Sequence, residues 1–227
     1  RIHLFDTPLL MCRNQGLSME QRAAKRVLDI IVSGLGIIVS SPIMLIIAIA
    51  VKAYDGGPVF YLQDRLTYQG KEFRIRKFRS MCVDSEKNGA RLASKHDSRI
   101  TPVGHVLRNL HLDELPQLFN VFMGDMSLVG PRPERDVIMQ EYEQEIPEFH
   151  YRLKVKAGLT GYAQVYGKYN TTPYDKLKLD LFYIENYSFL LDIKLLFMTV
   201  KIFFQKEVSE GVDDNQKNAL KDSENKK

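Results

Sequence analysis

The segment Leu112-Asp113-Glu114-Leu115-Pro116-Gln117-Leu118 sets two carboxylates side by side just ahead of a proline. Proline is tolerated only in the first turn of a helix, so Pro116 predicts a helix from about Asp113 to Phe122. Asp113 then stands at or beside the cap, where free N–H groups and the helix dipole attract phosphate. Successive helical residues diverge by about 100°, so the two carboxylates cannot face one atom together. One could attack a phosphorus while the other holds a metal ion or a proton. Alone, an Asp-Glu pair is more often a cap followed by a first-turn acid.

Basic residues shift that balance. Arg108 lies just upstream of Asp113, and Arg132 stands between Pro131 and Pro133, which fix the backbone and present the guanidinium with little entropy left to lose. Arg74, Arg76, Lys77 and Arg79 crowd one strand-like stretch. Guanidinium groups can grip pyrophosphate oxygens bidentately. A solvated strand face or a contact with anionic lipid would use the 74–79 residues equally well, and Pro-Arg-Pro also reads as a stiff turn.

The elements that must position these residues are marked by the same pattern. Two strand-like stretches, 58–63 and 71–78, are joined by a turn containing Gly70. Thr101-Pro102 is a helix start, with threonine as cap and proline at the first helical position. Residues 84–99 read as a solvated helix and loop, and Gly130-Pro131-Arg132-Pro133 as a rigid loop. Helix is expected over 134–150, loop and short strand over 157–167, and helices over 174–186 and 189–205. Residues 1–17 read as an irregular lead-in or the end of a missing preceding region. Residues 207–227 are polar and poor in large apolar side chains, so disorder is expected there.

Val27–Val51 is apolar almost throughout. As one straight helix it would cover about 38 Å, against a hydrocarbon core of about 30 Å. Pro42 inside the run removes an N–H and clashes with the carbonyl of Ile38, so a bend is expected, and Ser40 and Ser41 can offer hydroxyls to the freed carbonyls. The arms, 27–40 and 43–51, reach about 21 and 14 Å, and neither crosses alone. Arg22, Lys25 and Arg26 before the run and Lys52 after it favour both ends on the cytoplasmic side. A re-entrant hairpin broken at Ser41-Pro42 satisfies both observations. On these residues a kinked span does equally well, and a core helix is a third reading. Asp29 is expected to pair with Lys25 or Arg26 one turn earlier. The stretch 189–206 is apolar with a thin strip of Asp192, Lys194, Lys201 and Lys206, as in a helix lying in a membrane interface, although a core helix looks similar.

The 227 residues fit one domain. A net charge of +4 suits anionic headgroups or phosphorylated substrates. Cys12 and Cys82 lie far apart, which argues against a disulfide framework or zinc site and favours a reducing compartment. The five histidines show no metal-ligand spacing. The basic residues lack an interleaved aromatic stacking platform, which argues against nucleic acid.

Taken in order, Ser41-Pro42 in an apolar run, Lys77-Phe78-Arg79-Ser80-Met81, Arg108, Leu112-Asp113-Glu114-Leu115-Pro116-Gln117, Gly124-Asp125-Met126-Ser127, Gly130-Pro131-Arg132-Pro133-Glu134 and Lys156-Ala157-Gly158-Leu159-Thr160-Gly161 form a specific set. It resembles the monotopic bacterial sugar transferases, the polyprenyl-phosphate phosphoglycosyl transferases, over roughly Arg22–Lys206. The resemblance implies an α+β, mainly helical fold over 18–206. A re-entrant membrane helical hairpin (about 22–54) would join a cytosolic catalytic domain with a small β-hairpin and amphipathic interface helices. The location implied is the cytoplasmic face of the bacterial inner membrane.

By the same resemblance, Asp113 is the nucleophile. It would attack the β-phosphorus of a UDP-sugar, expel UMP and pass the sugar 1-phosphate to undecaprenyl phosphate, the first membrane step of exopolysaccharide or capsule assembly. Glu114, with Asp113, would hold Mg²⁺ or assist with a proton, and Arg108, Arg132, Lys77 and Arg79 would bind phosphates. Membrane lipids are expected partners, nucleic acid is not, and a homo-oligomer is compatible. Two positions depart from the pattern: Thr67 stands where many relatives have glycine, and Lys168 where relatives often have arginine. A membrane-anchored scaffold without catalysis and a fragment of a polytopic transporter are the competing readings.

Overall fold

The computed structural model of the chain describes residues 2–4, 7–9, 16–83, 97–167 and 171–203. Helices dominate, with three two-stranded sheets among the described residues. Strands β1 (Ile2–Leu4) and β2 (Thr7–Leu9) pair antiparallel, where the sequence suggested irregular chain. The long helix α1 (Met19–Asp55) follows, then the hairpin β3 (Phe60–Leu66) and β4 (Glu72–Phe78). Next come α2 (Pro102–Asn109), α3 (Gln117–Met123), β5 (Ser127–Val129) and α4 (Asp136–Glu145). The chain continues through β6 (Gly158–Thr160), α5 (Tyr162–Tyr166), α6 (Pro173–Glu185) and α7 (Phe189–Phe203). The expected helix over 134–150 is divided into α4 and a 3-10 stretch, Pro147–Lys154. Most of 84–99 and the whole tail from 207 lie outside the described residues.

Ser18 starts α1 with a capping box: its hydroxyl accepts from Gln21 N, and the Gln21 side chain accepts from Ser18 N. Gly56, at φ 70°, closes it. The helix continues through Pro42. Ser41 Oγ donates to the Ile38 carbonyl at 2.8 Å, the acceptor that Pro42 leaves without an N–H, and Ser40 Oγ donates to Gly36 O at 2.6 Å. Ser41 thus replaces the missing backbone donor, which lets the helix pass a residue that would otherwise end it.

Both arms of α1 dock on one body. A Cβ on Gly36 would come within 3.2 Å of Leu118, and one on Gly34 within 3.5 Å of Phe122, so small residues let α3 lie close. Beyond Pro42, Met44, Ile47 and Val51 bury with Phe78 and Leu107, and Leu112 and Leu115 pack on that cluster. The opposite face is apolar and open, with Ile38 70% and Val39 76% exposed.

Three polar residues on the buried face of α1 find partners across the fold. Asp29 does not pair one turn back as expected; it accepts from Leu128 N at 2.9 Å and Ser127 Oγ at 3.0 Å. Lys25 instead meets Asp192 of α7 at 2.6 Å and the Tyr183 hydroxyl at 3.0 Å. Arg26 donates to the carbonyls of Val121 and Phe122, both at 2.7 Å, at the end of α3, where Val121 O also accepts from Gly124 N at 3.0 Å. The charged strip expected on α7 is therefore split, with Asp192 inside while Leu190 and Phe197 are 76% and 73% exposed.

Candidate active site

The hairpin presents the first cation. Phe73 and Ile75 anchor one face of β4 in the core, and Lys77 lies on that same face. The free edge of β4 is closed by Asn120, fully buried on α3. Its carboxamide accepts from Arg76 N at 3.0 Å and donates to Arg74 O at 2.8 Å, in the manner of a neighbouring strand. Thr67, at the departure from the expected glycine, is extended and needs no left-handed backbone. Its hydroxyl donates to Asp125 O at 3.0 Å and accepts from Ala157 N at 3.1 Å, tying the hairpin to the loops below.

Helix α2 begins as expected: the Thr101 hydroxyl accepts from Gly104 N at 2.9 Å, with Pro102 next. The helix is docked on Ser80, whose carbonyl accepts from Thr101 N at 3.0 Å. At its far end Arg108 Nε donates to Ser80 Oγ at 2.8 Å. A Cβ on Gly104 would lie far closer to the Ser80 carbonyl oxygen than van der Waals contact allows. Gly104→Ala should therefore destabilise the fold by about 1–3 kcal/mol, read as a lower denaturation midpoint at unchanged m-value.

The two carboxylates do not open an α-helix as expected. Leu112–Glu114 form a 3-10 turn and α3 starts only at Gln117. Pro116 cannot donate, and the N–H groups of Glu114, Leu115 and Leu118 each reach back only three residues. His111 enters the turn at φ 52°, a conformation that ordinary side chains rarely adopt. Three residues per turn separate adjacent side chains by about 120°, so Asp113 and Glu114 point apart. Asp113 is 9% exposed and, among the described residues, its carboxylate accepts no hydrogen bond. Burial and the neighbouring Glu114 raise its pKa, against the pull of Lys77, Arg108 and His111. Glu114 Oε1 accepts from Lys77 Nζ at 2.7 Å and Arg132 Nη2 at 3.0 Å. Burial alone would raise its pKa, but Arg132 and Lys77 hold it well below the usual carboxylate range.

Arg132 arrives from the carboxyl ends of a parallel strand pair, the position where open α/β sheets place ligands. Strands β5 and β6 pair parallel, Ser127 with Gly158 and Val129 with Thr160. Gly130 N donates to Thr160 O at 2.8 Å and Gly158 N to Pro131 O at 2.9 Å. A Cβ on Gly158 would overlap Gly130 N, so this approach needs glycine.

Lys77, Glu114 and Arg132 thus come together beside Asp113, and Arg108 lies close enough for its charge to act on it. Arg79 is not with them. It is buried in a two-bonded ion pair with Asp55 at the end of α1, fixing the exit of β4 to that helix. Ser41 and Pro42 lie on the exposed face of α1. Lys168 lies outside the described residues. The sequence reading missed Arg152, Asp180 and Arg65, which hold the Pro-Arg-Pro loop from below. No local signal marks them, because their partners are distant in sequence.

A family model described as bacterial sugar transferase matches residues 20–206. The chain is 44% identical over 180 residues to the UDP-N-acetylgalactosamine-undecaprenyl-phosphate N-acetylgalactosaminephosphotransferase of Aeromonas hydrophila, covering 78% of this chain and 43% of that protein. It is 44% identical over 204 residues to the UDP-glucose:undecaprenyl-phosphate glucose-1-phosphate transferase of Klebsiella pneumoniae, covering 88% and 42%. To the undecaprenyl-phosphate galactose phosphotransferase of Salmonella typhimurium it is 38% identical over 218 residues, covering 89% and 45%. The chain thus spans less than half the length of these curated relatives.

Proposed function

The chain belongs to the bacterial sugar transferase family, and on that premise we propose that it moves a sugar 1-phosphate from a UDP-sugar to undecaprenyl phosphate through a phosphosugar–aspartate intermediate. The observation that carries this is the Asp113 carboxylate: buried, accepting no hydrogen bond among the described residues, and within the field of Lys77 and Arg108. A desolvated, unpartnered carboxylate is a better nucleophile than one spread over several donors. An Oδ of Asp113 attacks the β-phosphorus, the bond from that phosphorus to the oxygen bridging the α-phosphorus breaks, and the electron pair leaves with UMP. An oxygen of undecaprenyl phosphate then attacks the same phosphorus and releases Asp113 as a carboxylate. Arg132, Lys77 and Arg108 offset the charge of the diphosphate. Glu114, kept ionised, holds Lys77 and Arg132 in place for that role.

Mg²⁺ is the expected cofactor. No group of three acidic, histidine or cysteine side chains suited to a metal occurs among the described residues. Both contacts to Glu114 fall on Oε1, however, leaving Oε2 and the Asp113 carboxylate as donors. Mg²⁺ is commonly held by one or two carboxylates together with substrate phosphate and water, so either carboxylate, Glu114 through Oε2 or Asp113, would suffice with the donor diphosphate although the two point apart. Bound there, the ion would neutralise charge on the diphosphate.

The protein is proposed to sit on the cytoplasmic face of the bacterial inner membrane, with the open face of α1 and Leu190 and Phe197 of α7 in lipid. Helix α1 is long and apolar enough to cross a bilayer. Its basic flanks and the docking of residues on both sides of Pro42 on one body favour a helix whose two ends lie at the same leaflet surface, with Ser41-Pro42 at its deepest point. Leu112 and Leu115, on either side of Asp113, pack with Met44, Ile47 and Val51 of α1. A prenyl acceptor in the leaflet and a soluble donor can then reach one carboxylate. Such a transfer would begin assembly of an exopolysaccharide or capsule unit. The test is UMP release by protein in detergent with undecaprenyl phosphate, Mg²⁺ and UDP-glucose, UDP-galactose or UDP-N-acetylgalactosamine. UMP should appear in step with prenyl-linked product for at least one donor, and no UMP from any of them contradicts the proposal.

A further inference from the structure

Arg132 reaches Glu114 from a loop that is itself held one layer deeper. Arg152, in the 3-10 stretch after α4, is 2% exposed, and its Nη2 donates to the Arg132 carbonyl at 3.1 Å. Asp180 of α6, 1% exposed, accepts from the same guanidinium at Nε (3.0 Å) and Nη2 (2.7 Å). The Phe149 ring lies against it, 4.8 Å from centroid to guanidinium carbon. Glu134, just past the loop, lies 3.6 Å from Arg152 Nη1 and 2.6 Å from Lys176 Nζ. Arg65 of β3 donates to the next carbonyl, that of Pro133, at 3.1 Å. Two successive carbonyls of Pro-Arg-Pro are thus gripped by two arginines.

Stability alone is a weak reason for this arrangement. A buried ion pair seldom outdoes well-packed apolar residues of the same volume, because desolvation cancels most of the attraction. What the pair does supply is direction, since a planar guanidinium bonded on two edges fixes the position of the carbonyl it touches. We infer that Arg152, held by Asp180, is a positioning residue for sugar-phosphate transfer, setting the Arg132 backbone so that its guanidinium meets Glu114 and the donor diphosphate. This rests on the function proposed above.

Lysine at 152 keeps the charge but offers a point donor that cannot serve the Arg132 carbonyl, Asp180 and Glu134 together. R152K should raise KM for whichever UDP-sugar the wild type uses by about tenfold to a hundredfold. D180N should raise it in the same direction, and neither should raise it further in an R132A background. Melting followed by far-UV circular dichroism separates loss of fold, because a merely structural role lowers Tm and the active fraction without moving KM. That result, or full additivity with R132A, overturns the inference. Where R152K does not fold, D180N carries the same comparison. A wild type that releases no UMP with any UDP-sugar overturns the functional proposal instead. The positioning role is then read from a crystal structure of R152K or D180N: loss of the Arg132–Glu114 contact supports it, and retention at 3.0 Å overturns it.

Discussion

Asp113→Asn is expected to lower UMP release by about a thousandfold or more while making the protein more stable at neutral pH. The loss would follow from removing the proposed nucleophile, since no other described carboxylate takes its place: Glu114 is turned toward Lys77 and Arg132. The gain in stability follows from the sign of the shift. Burial raises the folded-state pKa of Asp113 above its ordinary value, so the ionised form costs stability. That cost is fully present above the folded-state pKa and vanishes below the unfolded one, so the Tm difference between the D113N variant and the wild-type protein should close as pH falls through the carboxylate range. Each kcal/mol relieved is worth about 2–4 °C in a domain of this size. A variant with lower Tm at pH 7 and intact activity would contradict both halves.

The second large effect is structural. Asp192→Ala leaves Lys25 buried without its carboxylate, with the Tyr183 hydroxyl as its one remaining hydrogen-bond partner among the described residues. Removing one member of a buried pair costs about 3–5 kcal/mol, so Tm should fall by about 6–20 °C. The chain has no tryptophan, so the melt is followed by far-UV circular dichroism. Replacing both members, as Lys25→Met with Asp192→Leu, should recover most of the loss. A double variant as unstable as Asp192→Ala would show that the pair does more than neutralise itself. Because the pair joins α1 to α7, the single variant should also loosen the docking of the first arm of α1.

The sequence was most informative where the chemistry is local. Thr101-Pro102 marks the start of α2, Pro116 restricts what can precede it, and Ser41 beside Pro42 sits where the freed carbonyl needs it. Asp113, Glu114 and Arg132 could be singled out because prolines fix the backbone around them. Their arrangement was less legible. The same Pro116 that suggested a helix start at Asp113 delays α3 to Gln117, because its missing N–H leaves only three-residue hydrogen bonds upstream. Strands β5 and β6 are three residues each, too short to show a period of two, and their parallel pairing joins distant segments. Arg79 looked like its neighbours in the 74–79 run, and only the fold reveals that Asp55 holds it. For the same reason Asp29, Lys25 and Arg26 looked like an intrahelical set although each bonds to a different element. Sequence spacing identifies the near partner, and burial decides whether a far one wins.

The most direct test of the central claim is mass spectrometry of the protein after incubation with a UDP-sugar and Mg²⁺ in the absence of undecaprenyl phosphate. A sugar phosphate attached at Asp113, formed with one UMP released per modified chain and discharged when the acceptor is added, is the expected result. UMP released only when both substrates are present, with no adduct on Asp113 at any time, would contradict it.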